Sequence, residues 1–337
     1  MSKLDIVTIG AAVKDYTLYT SEGKIFNTPQ NLTAQKMLAF EYGAKINVQD
    51  AYSNLGGGAA NAGVSFARLG LKTGIITRIG KDEIGEEVVV KFKTEGVNID
   101  NIQIDQKRMT GFSVILATAK KEKEHVIFTH RAADEYLLIN QKELSKISAG
   151  WYYLTSLTGQ KWLSNLKQIF QTAKEKNVKI SWNLGGVQLR AGRHTLAPFL
   201  MQTEVLILNK DEAIELVLSG VKLGRKNPNY LNRPIYLLNI LSEWGPKIVI
   251  ITEGKKDCWA YDGKRVYRQK PKAVKPLDTT GVGDSFGSAF IAGLHYEKKD
   301  IKKALRWGIT NSSSVIKQIG AQNGLLTKSQ MFKKIKI

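Results

Sequence analysis

Cysteine is almost missing from this chain. Cys258 stands alone in 337 residues, which excludes an internal disulfide framework and fits a reducing compartment. The four histidines are scattered and offer no metal cluster. No apolar run approaches the ~18 residues that cross a bilayer, and no apolar signal region follows Lys3, so a cytoplasmic protein with no membrane partner is expected. Acidic residues are in short supply: 30 Asp and Glu stand against 50 Lys and Arg, a formal charge of +20. That balance raises nucleic-acid binding. The basic runs at residues 120–123, 222–225, 298–303 and 333–336 are dispersed, however, and none interleaves the aromatics of a base-stacking platform. A solvated basic surface is the simpler expectation, and it would attract a polyanionic nucleotide in any case. A G-x-x-x-x-G-K-[ST] loop is also absent, which excludes a P-loop nucleotide site.

What remains is ordinary globular composition, 43% hydrophobic and 24% charged, in a chain long enough for one large core or one core with a smaller appendage. Apolar β-type runs at residues 4–9, 151–154, 178–182, 205–208 and 247–252 alternate with helical patterns at 59–69, 163–176, 196–202, 211–219, 236–244 and 303–319. Repeated βα units with apolar strands predict an α/β fold. Its mostly parallel central sheet would be covered by helices on both faces, with ligands beyond the carboxyl ends of the strands. β-prone pieces at 16–19, 46–48, 111–117 and 125–129 fall outside that alternation and predict a small separate sheet with the charged turn 120–124 exposed. Residues 221–234 form a loop of unusual length.

The densest chemistry lies at Asp278-Thr279-Thr280-Gly281-Val282-Gly283-Asp284-Ser285-Phe286, where a Gly-rich turn runs into an apolar helical pattern. Phe286, Ala289, Phe290, Gly293 and Leu294 recur at helical spacing, so a buried helix begins near Gly283. Its first-turn N–H groups and positive dipole end make an anion site. Asp284 adds a carboxylate inside the same turn, able to take a proton from an alcohol while the amides hold a phosphoryl group. The same residues would serve equally as a plain helix-terminal turn. Gly56-Gly57-Gly58-Ala59-Ala60-Asn61 opens another helix that ends at Gly70; it approaches a dinucleotide G-x-G-x-x-G, but Asn61 takes the third glycine's place and no tight strand-turn is expected before it. Asn209-Lys210-Asp211-Glu212 follows a strand with the spacing of a capping box.

Taken in order, these stretches resemble the signatures of the ribokinase-like (PfkB) carbohydrate kinase family. Residues 278–286 are similar to D-T-x-G-A-G-D-x-F, with Val282 where Ala is usual, and Gly56 to Asn61 followed by Arg68-Leu69-Gly70 are similar to G-G-x-x-x-N and R-L-G. Gly10 and Asp15 fit G-x-x-x-x-D, residues 80–85 fit G-x-D-x-x-G, and Asn209 and Glu212 fit N-x-x-E. Thr252-Glu253-Gly254 fits T-x-G, with Asp257 where a second glycine is usual, and Arg131-Ala132-Ala133-Asp134 sits where an R-G-A-N-like turn is common.

The resemblance implies an α/β, ribokinase-like three-layer sandwich with a central mostly parallel sheet. It implies one domain over residues 1–337 with a small β lid inserted from about 13–51 and 98–130. The implied activity is ATP-dependent phosphorylation of a primary hydroxyl of a small sugar. Asp284 would be the base and the amides of Gly281, Val282 and Gly283 the anion hole. Asp15, the Gly57 backbone and Asn61 would hold acceptor hydroxyls, as two carboxylate oxygens suit paired hydroxyls, and Arg131 would approach substrate or phosphate. Asn209 and Glu212 would organise Mg2+ through water. Thr252 and Gly254 would contact the nucleotide, and Gly320 would lie beside the adenine. Asp278 and Thr280, with Val315 and Gly320, would hold a monovalent cation such as K+. A second copy of the chain, docked through the lid, is an implied partner. Members acting on ribose carry a Lys where this chain has Gly58 and an acid where it has Thr155-Ser156-Leu157, which weakens ribose specifically. Fructose-like sugars, other ketoses or aldoses, and nucleosides stay open, the last with Tyr16, Tyr19, Phe112 or Phe128 as aromatic walls. The reading from another class is an inactive kinase-like fold that binds nucleic acid through its basic surface.

Overall fold

The computed structural model describes residues 3–28, 36–118, 125–222 and 228–335. The expected turn 120–124, the basic runs there and at 223–225, Lys336, and parts of the anticipated lid and of the loop 221–234 lie outside the described residues.

Along the chain the described strands are β1 (Leu4–Ile9), β2 (Val13–Thr20), β3 (Lys24–Asn27), β4 (Lys36–Ala39), β5 (Asp50–Gly56), β6 (Thr73–Gly80), β7 (Ile102–Asp105), β8 (Phe112–Thr118), β9 (His125–His130), β10 (Ala149–Leu154), β11 (Lys179–Asn183), β12 (Val205–Asn209), β13 (Ile248–Thr252), β14 (Cys258–Tyr261) and β15 (Val266–Gln269). The main sheet runs β15-β14-β13-β12-β11-β10-β1-β6-β7. From β13 to β7 every pairing is parallel, and only β14 and β15 add antiparallel edges. The carboxyl ends of the parallel strands therefore open onto one rim.

Alternate strand side chains feed two helical layers. Ile9, Leu154, Trp182, Leu208 and Ile251 pack on one face with the helices Trp162–Lys176, Gly186–Leu200, Lys210–Leu218 and Pro234–Glu243. Ile6, Tyr153, Ile207 and Ile250 pack on the other with Gly58–Arg68, Val282–Tyr296, Ile301–Val315 and Lys328–Ile335. The strands are buried from both sides, which is why they read as apolar runs rather than alternating patterns. The fold is a three-layer α/β sandwich.

A second sheet, β5-β2-β8-β9, stands apart from the first, beside the hairpin β3-β4. Residues 46–48 are not a strand; β5 begins at Asp50 and runs straight into the Gly56-Gly57 turn, so a strand does precede that turn, contrary to the sequence expectation. It is antiparallel to β2 and belongs to the small sheet, so the unit is not a dinucleotide-type βαβ. The helix expected at 196–202 starts ten residues earlier at Gly186 and bends at Gly192, whose φ is 71°. Glycines and charged residues in its first half hide the helical period.

Candidate active site

Two turns at the rim meet across a long sequence gap. Gly57, at φ 92°, closes β5 onto the N-terminus of the helix Gly58–Arg68, and a Cβ there would collide with the Ala11 backbone. Gly281, at φ 70°, does the same for the helix Val282–Tyr296, and a Cβ there would overlap Ala321. Both backbones favour glycine because other L-residues are strained in this region. The first helix carries Asn61 and the second Asp284; Asn61 Nδ2 donates to Asp284 Oδ2 at 2.9 Å across a separation of 223 residues. Asn61 is buried, whereas Asp284 keeps partial access to the rim.

Asp15 is buried on β2 in the same cleft, so close to Gly56 that any side chain there would overlap its carboxyl. Burial pushes the Asp15 carboxyl up to about 6, opposed by the Ser113 hydroxyl and Arg131. Burial likewise pushes Asp284 up to about 6, with the Asn61 amide opposing and the Asp15 charge assisting. Asp278 is buried behind the turn: its Oδ1 accepts from Thr280 N at 2.9 Å and its Oδ2 from Gly320 N at 2.8 Å. Gly320, at φ 87°, lies against Asn54 of β5, so the segment after the helix Ile301–Val315 is tied both to the turn at 278–281 and to the small sheet. Val315 is fully buried at that helix end, and the Thr280 hydroxyl is buried without a hydrogen-bond partner.

On the other side of the 281–284 turn lies a cavity of about 240 Å³ lined by Asn209, Thr252, Gly254, Asp257, Val282, Gly283, Phe286 and Ser312, among others. Nothing stands within 4 Å of where a Gly283 or Gly254 side chain would begin, so both backbones face open space. Asn209 and Glu212 form the reciprocal cap: Asn209 N donates to Glu212 Oε2 at 2.8 Å and Glu212 N to Asn209 Oδ1 at 2.9 Å. The Glu212 carboxyl is pushed up to about 7 by burial, with the Asp284 charge adding to the rise. A carboxylate raised by burial and by a neighbouring negative charge suits a divalent cation beside it. Among the described residues no three His, Cys, Asp or Glu side chains cluster to hold a metal, so such an ion would lean on water and phosphate oxygens. Asp257 is engaged with Arg268 at 2.6 Å.

Two residues at this rim, Ser113 and Gln322, escape a motif-based reading, and Asp134, inside a turn that the motif covers, was given no role by it. Ser113 hydrogen-bonds Asp15 from the neighbouring strand. Asp134, buried beside Arg131, accepts from Thr158 at 3.0 Å and is itself pushed up to about 6 by burial. Gln322 Nε2 donates to Asn61 Oδ1 at 3.1 Å. The signal for Gln322 was a polar residue inside a Gly/Asn turn, which by itself says only turn.

Over residues 24–328 the sequence matches the pfkB family of carbohydrate kinases. The chain belongs to that family. It is 28% identical over 287 residues to the ribokinase of Haemophilus influenzae, covering 84% of this chain and 87% of the relative. Its fold is similar to that of Arabidopsis thaliana ribokinase complexed with ribose and ATP, at TM-score 0.78 and 20% identity with full coverage of both chains. It is similar also to that of a putative ribokinase II from E. coli in complex with ATP and Mg2+, at TM-score 0.76 and 20% identity, covering 99% of each. The three-layer sandwich is thus the ribokinase-like fold, and this pfkB kinase is a phosphotransferase with an alcohol group as acceptor. Among the described residues no helix is long and apolar enough to cross a membrane.

Proposed function

We propose that the protein transfers the γ-phosphoryl group of ATP to a primary hydroxyl of a small sugar. The hydrogen bond between Asn61 and Asp284 carries this reading, because it sets an acceptor-holding amide against the only carboxylate in the first turn of the helix Val282–Tyr296. Asp15, the Gly57 backbone and Asn61 hold the sugar hydroxyls. Asp284, whose second oxygen is left for the acceptor, takes the proton as the alcohol oxygen attacks. The amides of Gly281, Val282 and Gly283 receive the phosphoryl oxygens at the positive end of that helix. The nucleotide lies along Thr252, Gly254 and the open face at Gly283, with Gly320 toward the adenine. Glu212 and Asn209 would hold Mg2+ through water, and the ion would supply charge neutralisation to the phosphates. The unpartnered Thr280 hydroxyl beside Asp278 fits a monovalent cation such as K+.

The small sheet serves as a lid that excludes water from the transfer. Phe26 and Met37 on the β3-β4 hairpin and Ile127 and Phe128 on β9 expose apolar side chains, which supports docking of a second copy there. Arg131 acts on the carboxyls of both Asp15 and Asp134, a polar group that suits a polyol. Phe112 is engaged with Tyr16 at 6.4 Å and with His130 at 5.3 Å, so these rings pack on each other rather than standing as free walls for a nucleobase. ATP consumption should be screened against sugars and nucleosides with Mg2+, with and without K+. Turnover with one or more sugars is expected. Turnover with nucleosides alone would replace the acceptor, and salt-sensitive binding to random duplex DNA without any turnover would replace the reading.

A further inference from the structure

Cations that are dispersed along the chain gather in the fold. Residues 262–337 carry 16 Lys and Arg against 5 Asp and Glu, so more than half of the net charge of +20 falls on this last stretch. Here β15 and the helices Ile301–Val315 and Lys328–Ile335 pack together. None of the five acids answers the excess. Asp278 and Asp284 lie at the 278–284 turn, Asp262 accepts from Lys264 N at 2.9 Å and Arg265 N at 2.7 Å, Glu297 pairs with Lys303 at 3.3 Å, and Asp300 caps its helix through Lys303 N at 3.0 Å. Where the three elements meet lies a cavity of about 210 Å³, lined by Lys270, Lys272, Arg306, Thr310 and Lys334 and by no acidic residue. Among the described residues none of these four cations has an ion pair, although Arg268 beside them is held by Asp257 at 2.6 Å.

We propose that this cavity is a second anion site, separate from the site of transfer, and that it binds a small ligand carrying a phosphoryl group. Arg306 and Thr310 stand at i and i+4 on one face of the helix Ile301–Val315. Arg306 Nη2 donates to the Ile335 carbonyl at 3.0 Å, which anchors the guanidinium and leaves the rest of its donor fork for a ligand. Thr310 is 8% exposed, and its hydroxyl has no partner among the described residues yet is not sealed from solvent, so the access it keeps is through the cavity. Four like charges around one concave site repel each other and focus an attractive potential on an anion. A phosphoryl dianion offsets two of them at once and offers several oxygens to the fork and the hydroxyl, whereas a single carboxylate offsets one. No aromatic residue lines the cavity to stack a base, so a compact anion suits it better than a nucleic-acid strand. Ile309 lines both this cavity and the nucleotide cavity, which makes the two sites neighbours across one side chain.

The test is calorimetric titration of inorganic pyrophosphate, and in parallel of ribose 5-phosphate, into the full chain saturated with a non-hydrolysable ATP analogue. The analogue occupies the transfer site, so the heat reports on the second site alone. One equivalent should bind in physiological salt, and the tighter of the two probes tells free phosphate from a phosphate ester as the source. The double variant Lys270→Met, Lys334→Met removes two lining cations that make no side-chain hydrogen bond or ion pair among the described residues, so the fold should persist. Its affinity for the better probe should fall by about ten-fold or more, with the affinity for the ATP analogue unchanged. Arg306→Lys, which keeps the charge and loses the fork, should bind more weakly than the native protein and more tightly than Arg306→Met. Equal binding by the native protein and the double variant would overturn the site. So would native binding no tighter than that of acetate at the same ionic strength, or a single-stranded oligonucleotide bound more tightly than either probe, since a diffuse basic surface would then account for the charge. The proposal does not rest on the kinase reading: a protein that binds the probes as described and turns over no acceptor refutes that reading and leaves the second site standing.

Discussion

Asp284→Asn separates the chemistry of this carboxyl from its effect on stability, because the two should move in opposite directions. Burial lifts the carboxyl from its ordinary value of 3.8 to about 6, so the folded protein holds its proton more tightly than the unfolded chain does. A raised carboxyl stabilises the fold fully below its unfolded value, and that contribution is lost as pH rises through the folded one. A shift of about two units leaves the ionised group destabilising by about 3 kcal/mol at pH 7.5 and by roughly half that at pH 5, where the native carboxyl is mostly protonated. Asparagine removes the charge, and its oxygen still accepts from Asn61 Nδ2. The variant should melt about 4 °C higher than the native protein at pH 7.5 and about 2 °C higher at pH 5, given roughly 2 cal/mol/K of unfolding entropy per residue. Turnover should fall by about 100- to 10,000-fold, with ATP binding largely kept. Thermal melts at the two pH values and a coupled ATP-consumption assay read both effects. A variant with near-normal turnover refutes the base assignment. A variant that is destabilised equally at both pH values refutes the claim that burial, rather than local packing, sets the carboxyl's behaviour.

The remaining predictions follow the same geometry. Asp15→Asn should raise the acceptor KM at least ten-fold while leaving nucleotide affinity unchanged, read from steady-state kinetics in each substrate. Gly281→Ala forces a side chain into φ 70° and against Ala321, and should lower kcat and destabilise the fold by about 1–3 kcal/mol in urea unfolding. Arg68→Met leaves the Gln322 and Leu325 carbonyls without their donor and Glu95 with Lys91 alone, at about 3 kcal/mol. Arg68 holds the Glu95 carboxyl down to about 2, so this deficit should be full above pH 4.5 and shrink as pH falls toward 2.

How legible the molecule is in its sequence depends on how local the cause is. Five of the seven parallel strands of the main sheet were readable because burial on both faces leaves runs such as Ile248 to Ile251 with no polar alternation, whereas β6 and β7 were not read. β14 and β15 were not, because Cys258–Tyr261 and Val266–Gln269 are short edge strands of mixed exposure whose place is set by the neighbour they pair with. Strand β5 was hidden for the same reason: Asp50, Ala51, Tyr52 and Ser53 are all exposed, and only pairing with β2 makes them a strand. Asp284 and Asn61 could each be picked out from a Gly-rich turn entering a helix, since that turn needs glycine for backbone reasons that leave a mark in the chain. Gln322 and Ser113 leave none. Their roles exist only once residues far apart in sequence come within hydrogen-bonding distance.

The value of about 6 at Asp284 is itself the outcome of opposed causes, burial and the Asp15 charge against the Asn61 donor, and the opposition explains why the contact with Asn61 is more than a tether. Burial, helped by the Asp15 charge, would carry the carboxyl higher still, toward the protonated form that cannot act as the proposed base. Full solvation would return it toward 3.8, ionised but a weak base. One buried N–H donor pulls the carboxyl back from the first extreme without opening the cleft to water, which would bring on the second and also offer a competing acceptor. The donor must come from a group that is itself neutral, since a cation in that position would lower the carboxyl far more, as Arg68 does to Glu95. An amide meets that requirement, and the carboxylate, which can only accept, holds the N–H end of Asn61 toward itself.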